Sequence, residues 1–408
     1  MADRVTVIGC DGSPLTAAAR SALSAATLVA GAAHHLTLPE IPPAAEQIRL
    51  GSLGPAAGRI AGHRGSAVVL ADGDPGFFGV LRALRAPEHG LEVEVVPAVS
   101  SVAAAFARAG MPWDDARVVV AHPRTLRRAV NVCRAHPKVA VLTSPGAGPA
   151  ELALLLDGVH RTFVICEELG TANEQVTVLT SDKAADHTWR DPNVVIAVGG
   201  GGTVEGTDGG WLAGTTGPAP ERGWARPLDG APESEGEQLR ALQLARLGPR
   251  PGDLVWDVGT GSGAFAVDAA AFGAAVIAVD ADPQACDRVR ALARSRGVQL
   301  QAVAGRAPHV LESLPEPDVV RVAGGGSAVV AACAERRPER IVTHASTRDE
   351  AEAAGRALAE RGYSVDCALL QAVGLDPHSW AERERSVVFL LSAERAERPD
   401  RTDRAPRG

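Results

Sequence analysis

Short runs of aliphatic and β-branched residues alternate along the chain with longer Ala-rich helical stretches. In the first half the runs fall at residues 5–8, 67–70, 93–96, 117–120, 139–142, 162–166 and 175–179, each predicted as a strand. Strands interleaved with helices predict an α/β domain. Four glycines at 199–202 and a stretch at 203–237 rich in Gly, Pro and acidic residues break every periodicity, which predicts a linker. The alternation resumes with a helix around 238–247 and strands at 254–257, 275–280, 299–303, 319–322 and 340–343. Two further runs, 364–370 and 386–391, are separated by too few residues for a crossover helix and are predicted as antiparallel neighbours. The end of the chain, dense in Arg, Asp, Glu and Pro, reads as a disordered tail. With 408 residues, two substantial domains are expected, at 1–202 and 238–395, with a linker at 203–237 and a tail at 396–408.

Composition narrows the class. A hydrophobic fraction of 46% with 44 glycines fits an Ala-rich α/β enzyme. A net charge of −8 and an aromatic content of 3% leave neither a phosphate-neutralising surface nor rows of stacking rings, so no nucleic-acid partner is expected. The six cysteines, Cys10, Cys133, Cys166, Cys286, Cys333 and Cys367, are scattered and form no C-x-x-C pair, and no histidines cluster at metal-ligand spacing. No metal is expected, and a reducing, cytoplasmic setting is. The opening Met-Ala-Asp-Arg leads straight into a strand-like run, and no uninterrupted apolar stretch of about 18 residues exists, so neither a leader nor a membrane span is expected. A homo-oligomer is expected.

Two places carry candidate chemistry. After the strand at 254–257 comes Asp257-Val258-Gly259-Thr260-Gly261-Ser262-Gly263, opening a helix. Glycines there permit a sharp turn and close approach to a ligand. The spacing is G-x-G-x-G with an acid two residues earlier, whereas a dinucleotide loop is G-x-G-x-x-G and must seat a pyrophosphate. S-adenosyl-L-methionine has an ammonium and no phosphate, so it tolerates the acid. Asp280, 280 − 257 = 23 residues on, ends the next strand near the offset at which a carboxylate accepts ribose hydroxyls. Asp282, before Pro283, is expected to cap a helix.

In the first half, Gly9 and Gly12 flank Cys10-Asp11 after the first strand, a pattern that many α/β proteins share. A second strand runs into Ala71-Asp72-Gly73-Asp74-Pro75-Gly76-Phe77-Phe78-Gly79, either a turn and helix cap or a ligand loop. Pro97-Ala98-Val99-Ser100-Ser101 offers hydroxyls for a helix N-cap or for a polar ligand.

As an ordered set these segments resemble a known family over almost the whole chain, the precorrin-6Y methyltransferases (decarboxylating) of cobalamin synthesis. The N-terminal signatures are Val7-Ile8-Gly9-Cys10-Asp11-Gly12, Gly73-Asp74-Pro75, Phe77-Phe78-Gly79, Pro97 to Ser101, and Glu167-Glu168-Leu169-Gly170. C-terminal matches are 239–263, Ala278-Val279-Asp280, Gly305-Arg306-Ala307-Pro308 and Gly324-Gly325-Gly326. The resemblance implies a two-lobed tetrapyrrole methylase fold followed by a Rossmann-like methyltransferase fold, a mostly parallel sheet with an antiparallel last strand. It implies S-adenosyl-L-methionine held by Gly9, Asp11, Gly73, Asp74, Ser100, Ser101 and Thr143 in one domain. In the other it implies Asp257, Gly259, Thr260, Gly261, Ser262, Gly263, Asp280 and Ala307, the last against the adenine. The implied reaction is methylation of carbons 5 and 15 of a polycarboxylate precorrin, with or without cobalt, and decarboxylation of the carbon-12 acetate. Two segments depart from the family pattern, Ser234-Glu235-Gly236-Glu237 and His122-Pro123-Arg124.

Methyl transfer to a carbon nucleophile needs alignment and exclusion of water more than a triad, so no catalytic residue is assigned. His344 and His378 are candidates for an acid or base, each also readable as a packing or exposed histidine. Arginines at 124, 127, 128, 321, 336 and 337 could meet substrate carboxylates or form solvated helix faces. Competing readings are an RNA or protein methyltransferase, a chain in which one domain is a degenerate scaffold, and a nicotinamide dehydrogenase. No N-P-P-Y-like motif follows Asp318, which disfavours the first.

Overall fold

The computed structural model describes residues 4–51, 53–77, 79–156, 158–199 and 236–396. Most of the expected linker, the tail from 397 onward, Phe78, and Ser234 and Glu235 lie outside the described residues.

Seventeen strands among the described residues form three sheets. β1 (Arg4–Cys10), β2 (Leu28–Gly31), β3 (Glu46–Arg49), β4 (Ser66–Asp72) and β5 (Val93–Val96) make a parallel sheet in the order β3-β2-β4-β1-β5. β6 (Arg117–Val120), β7 (Lys138–Leu142), β8 (Thr162–Glu167), β9 (Gln175–Thr180) and β10 (Asn193–Val198) make the second, in the order β6-β7-β10-β8-β9, with β8 and β9 antiparallel. The third contains β11 (Leu254–Val258), β12 (Ala275–Asp280), β13 (Gln301–Ala304), β14 (Val319–Val322), β15 (Arg340–Ala345), β16 (Tyr363–Leu375) and β17 (Glu382–Arg395), in the order β13-β12-β11-β14-β15-β17-β16.

By packing, the chain divides into two compact units. One comprises Met1–Trp113, Ala140–Glu151 and Thr162–Ile196, the other Asp114–Val139, Leu152–Arg161 and Ala197–Gly408. In the first unit, alternate residues of the central strands point to opposite faces. Val5, Val7, Val69 and Ile60 pack on one side of the sheet, and Ile8, Leu23, Val29 and Leu70 on the other. Because both faces are covered, the strands are near-continuous apolar runs, as parallel strands must be.

The second unit is built around the seven-stranded sheet. β11, β12, β13, β14 and β15 run parallel, whereas β17 is antiparallel to both β15 and β16. The order reverses between β11 and β14, which puts a crevice beside the C-terminal end of β11, the place where open α/β sheets take ligands. One face packs Trp256, Ile277, Val320 and Ile341, and the other packs Val255, Val276, Val319 and Val342 under Phe265 and Leu244. Beyond its pairing with β15, which ends at Phe389, the hairpin β16–β17 continues as a two-stranded arm. Leu369, Val373, Leu375, Trp380 and Val387 are exposed on it.

Three strands escape the sequence pattern. β2 lies inside an Ala-rich segment that reads as helix, β3 (E-Q-I-R) shows one apolar side chain because it is an edge, and β10 runs directly into the glycine tract.

Candidate functional site

The loop after β11 uses its three glycines for three different purposes. All have positive φ, +79°, +56° and +80° for Gly259, Gly261 and Gly263. A side chain on Gly259 would start 3.1 Å from the Gly324 nitrogen, and one on Gly263 would start 2.6 Å from Val289 Cγ2, so these two let neighbouring backbone and helix close in. Around Gly261 there is open space, which leaves the middle of the loop free for a ligand. Gly259 and Thr260 both donate backbone N–H groups to the Val279 carbonyl, tying the loop to β12.

Asp257 is fully buried. Its Oδ2 accepts from Thr260 Oγ1 at 2.6 Å, and its Oδ1 accepts from Arg321 Nη1 at 2.8 Å, in an ion pair whose two side chains are both 0% exposed. Arg321 Nε donates to Gln243 Oε1 at 3.1 Å, Gln243 Nε2 lies 3.2 Å from His344 Nδ1, and the guanidinium stands over the Phe265 ring. The Asp257 carboxylate therefore fixes the loop from beneath. Arg321 lies on a strand inside this network and is neither a solvated helix face nor exposed to a substrate. A lone arginine in the apolar run V-V-R-V is a sequence signal for a buried partner, since an uncompensated buried charge is not tolerated. The expectation for Asp282 holds, because its Oδ1 caps the helix Pro283–Ser295 by accepting from the Gln284 N–H.

Asp280 is half-buried at the end of β12. Its Oδ2 accepts from the Gly261 N–H at 3.0 Å and its Oδ1 from the Asp282 N–H at 2.9 Å. The carboxylate thus stands at the open glycine of the loop. Ser262 is half-buried in the same turn, and Ala307 is half-buried after β13, packed on the sheet core.

In the first unit a cavity of about 230 Å³ opens at the C-terminal ends of β1 and β4. Asp11, Gly73, Asp74, Ser100, Ser101 and Thr143 all line it. Gly9 lies just behind, where a side chain would start 2.4 Å from the Gly73 carbonyl oxygen and 2.8 Å from Ala98 Cβ. Gly73, at φ +63°, packs on the Ser101 backbone nitrogen and donates its N–H to the Cys10 carbonyl. The Glu167 to Gly170 segment packs on Gly12 backbone to backbone, and Leu169 reaches the cavity wall.

Several lining groups have assigned partners. Asp11 accepts from the Ser13 and Val99 N–H groups, and although burial opposes its charge, these bonds hold its carboxyl below the ordinary range. Ser100 caps the helix Ser101–Ala109. Thr143 Oγ1 donates to the Asn193 side chain and backbone. Two thiols, Cys10 and Cys166, line the same cavity, and burial pushes each up to about 11, so both stay neutral.

Sequence reasoning missed Asp72 as a lining residue. Its Oδ1 accepts from His34 Nε2 at 2.9 Å and from His35 Nε2 at 3.1 Å. The adjacent histidines gave no recognisable spacing, because their carboxylate partner comes from a different strand.

Of the histidines considered as acids or bases, His344 lies near the end of β15 in the hydrogen-bonded chain above, while the His378 side chain is 94% exposed between β16 and β17. A larger hollow of about 580 Å³ lies at the opposite, N-terminal ends of the parallel strands of the third sheet, beside Asp318 and Glu339, which precede β14 and β15. Ion pairs join Arg127 to Asp318 and Arg336 to Glu316 there, and neither glycine loop lines it. Among the described residues no helix is long and apolar enough to cross a membrane.

Two family models match separate parts of the chain. Residues 8–185 match the family model of tetrapyrrole (corrin/porphyrin) methylases, and residues 235–375 match that of a precorrin methyltransferase domain. A precorrin-6Y C(5,15)-methyltransferase (decarboxylating) from a Sinorhizobium species is 33% identical over 312 residues, covering 71% of each chain. A probable cobalt-precorrin-6B C(15)-methyltransferase (decarboxylating) of Pyrobaculum calidifontis is 36% identical over 147 residues, 34% of this chain and 75% of that one. A cobalt-precorrin-7 C(5)-methyltransferase of Salmonella typhimurium is 35% identical over 169 residues, 40% of this chain and 82% of that one. The alignment with the Sinorhizobium relative is longer than either domain match, so it reaches into both.

Proposed function

The chain belongs to the precorrin-6Y C(5,15)-methyltransferase (decarboxylating) family, and from that premise we propose that it methylates carbons 5 and 15 of a precorrin and removes the carbon-12 acetate carboxyl group. We assign catalytic domains to 1–202 and 238–395, joined by 203–237. The observation that carries this reading is a pair of separate glycine loops at the C-terminal ends of parallel strands, one in each half of the chain.

S-adenosyl-L-methionine, when bound, supplies an electrophilic methyl group at each site. The residues fit it. Asp11, Asp72 and Asp74 line the N-terminal cavity, an acidic setting that suits a ligand carrying a sulfonium and an ammonium, and Gly9 and Gly73 keep the floor clear of side chains. At the C-terminal loop, Gly261 leaves room, Asp280 offers a carboxylate beside it for hydroxyl groups, and Asp257 with Thr260 holds the turn rigid. Displacement at carbon needs alignment and a dry site, which such preorganised loops supply.

The acceptor is a polyanion and the chain is acidic overall, so recognition falls to local donors and not to the net field. We place the enzyme in the cytoplasm. Self-association is supported by the exposed apolar residues of the β16–β17 arm, where Trp380 is 75% exposed.

Mass spectrometry of precorrin-6Y incubated anaerobically with the chain and S-adenosyl-L-methionine tests the proposal. Gain of two methyl groups with loss of one carbon dioxide is expected. An acceptor that gains no methyl group refutes it, and one methyl without decarboxylation refutes the bifunctional assignment.

A further inference from the structure

Exchange of hydrogen for methyl at carbon, with the methyl delivered as a cation, leaves one proton to be removed from the acceptor. A base at the acceptor side is the chemical requirement that the glycine loops do not meet.

Beside the N-terminal cavity the chain ends of two neighbouring strands bring three titratable groups together. Asp72 is the last residue of β4 and lines the cavity, and His34 and His35 follow β2, the strand paired with it. An ionised carboxylate only accepts, so both imidazoles donate Nε2–H to the same Asp72 oxygen. The carboxyl is ionised because, although burial opposes it, hydrogen bonds from His35 and His34 hold it below its ordinary range. His35 is 4% exposed, and its Nδ1 is buried without a hydrogen-bond partner. A proton there would be an orphaned donor, so the ring is held with its proton on Nε2. His34 is on the wet side of the carboxylate, with more than half of its side chain exposed. With its proton on Nε2, its basic lone pair is on Nδ1.

We propose that His34 is the general base of the N-terminal site, and that Asp72 and His35 are positioning residues which fix its tautomer. The inference rests on the methyltransferase reading above. In the step, the C–H bond of the methylated carbon breaks, its electron pair returns to the conjugated ring, and the proton passes to His34 Nδ1 and then to water. Asp72 stabilises the imidazolium that forms, as a carboxylate behind a catalytic histidine does. A divalent cation on the same three groups is disfavoured, because ligation through His35 Nε2 would move the ring proton onto the partnerless Nδ1.

The test uses the full chain. In ¹⁵N spectra without substrate, His34 should show the Nε2–H tautomer, and Asp72→Asn should convert it to a mixture. With the N-terminal site taken as the carbon-5 methyltransferase and the C-terminal site as the carbon-15 one, His34→Ala should slow the carbon-5 methylation of precorrin-6Y by S-adenosyl-L-methionine about 100-fold in kcat with little change in KM. Added imidazole should restore part of that rate, and carbon-15 methylation with decarboxylation should continue, so the singly methylated, decarboxylated product accumulates. Unchanged carbon-5 methylation in His34→Ala, an Nδ1–H tautomer in the native chain, or zinc binding abolished by Asp72→Asn would each overturn the assignment. Failure of the native chain to methylate the acceptor strikes the functional reading, while the tautomer measurement still decides the histidine pair.

Discussion

Arg321 and Asp257 show how one side chain can be decisive without touching a ligand. They occupy paired positions on adjacent strands, both fully buried. Removing one partner strands the other charge, which typically costs about 3–5 kcal/mol. Arg321→Met should therefore lower unfolding stability by that order in urea, and adding Asp257→Asn should return a large part of it. Thr260→Val removes the second bond to the carboxylate and should lower stability by about 1–3 kcal/mol. His136 makes a different prediction. Burial, helped by the nearby Arg117 charge, pushes it down from 6.5 to about 4. The unfolded chain then takes up a proton that the folded chain refuses. Stability is complete above about pH 6.5 and is lost as pH falls toward 4, by roughly 3 kcal/mol. His136→Gln should flatten that decline in urea midpoints measured between pH 7 and pH 4. At this scale the sequence marked Asp257 and Asp280 as candidates, but not what they bond to, because Arg321 and Gln243 arrive from distant segments.

At the scale of elements, the glycine loops were the most legible parts of the chain, since positive φ and close backbone approach demand a residue without a Cβ. Gly73, at φ +63° with Ser101 nitrogen 2.9 Å from where a Cβ would lie, cannot take a side chain without moving the cavity wall. Gly73→Ala should abolish cofactor binding at the N-terminal site in calorimetry and leave the other site intact. The terminal hairpin was legible too, because its connection is too short for a crossover. Short strands were not. β2 and β3 carry too few alternations to stand out from their surroundings, and only their neighbours in the sheet make them strands. Thiols report on this architecture. Burial pushes Cys133 and Cys333 up to about 12, whereas Cys367 is exposed on β16. A thiol reagent should therefore label Cys367 first in the native chain, with the buried thiols following only on unfolding.

The molecule as a whole was readable as two α/β bodies with a break between them, and packing then grouped 114–139 and 152–161 with the second half, a regrouping that no local pattern encodes. Two loops imply two equivalents of S-adenosyl-L-methionine per chain, and titration calorimetry that finds one would remove half of the proposed function. A consequence follows from the acid lining of the N-terminal cavity. With S-adenosyl-L-methionine as the proposed donor there, Asp11, Asp72 and Asp74 would attract its sulfonium charge, and would attract the neutral thioether left after transfer less strongly. On the proposed reading, the same wall therefore favours the charged donor over the spent compound. Raised ionic strength, which screens exposed charges, should narrow the difference in affinity between the two and leave turnover more susceptible to product inhibition.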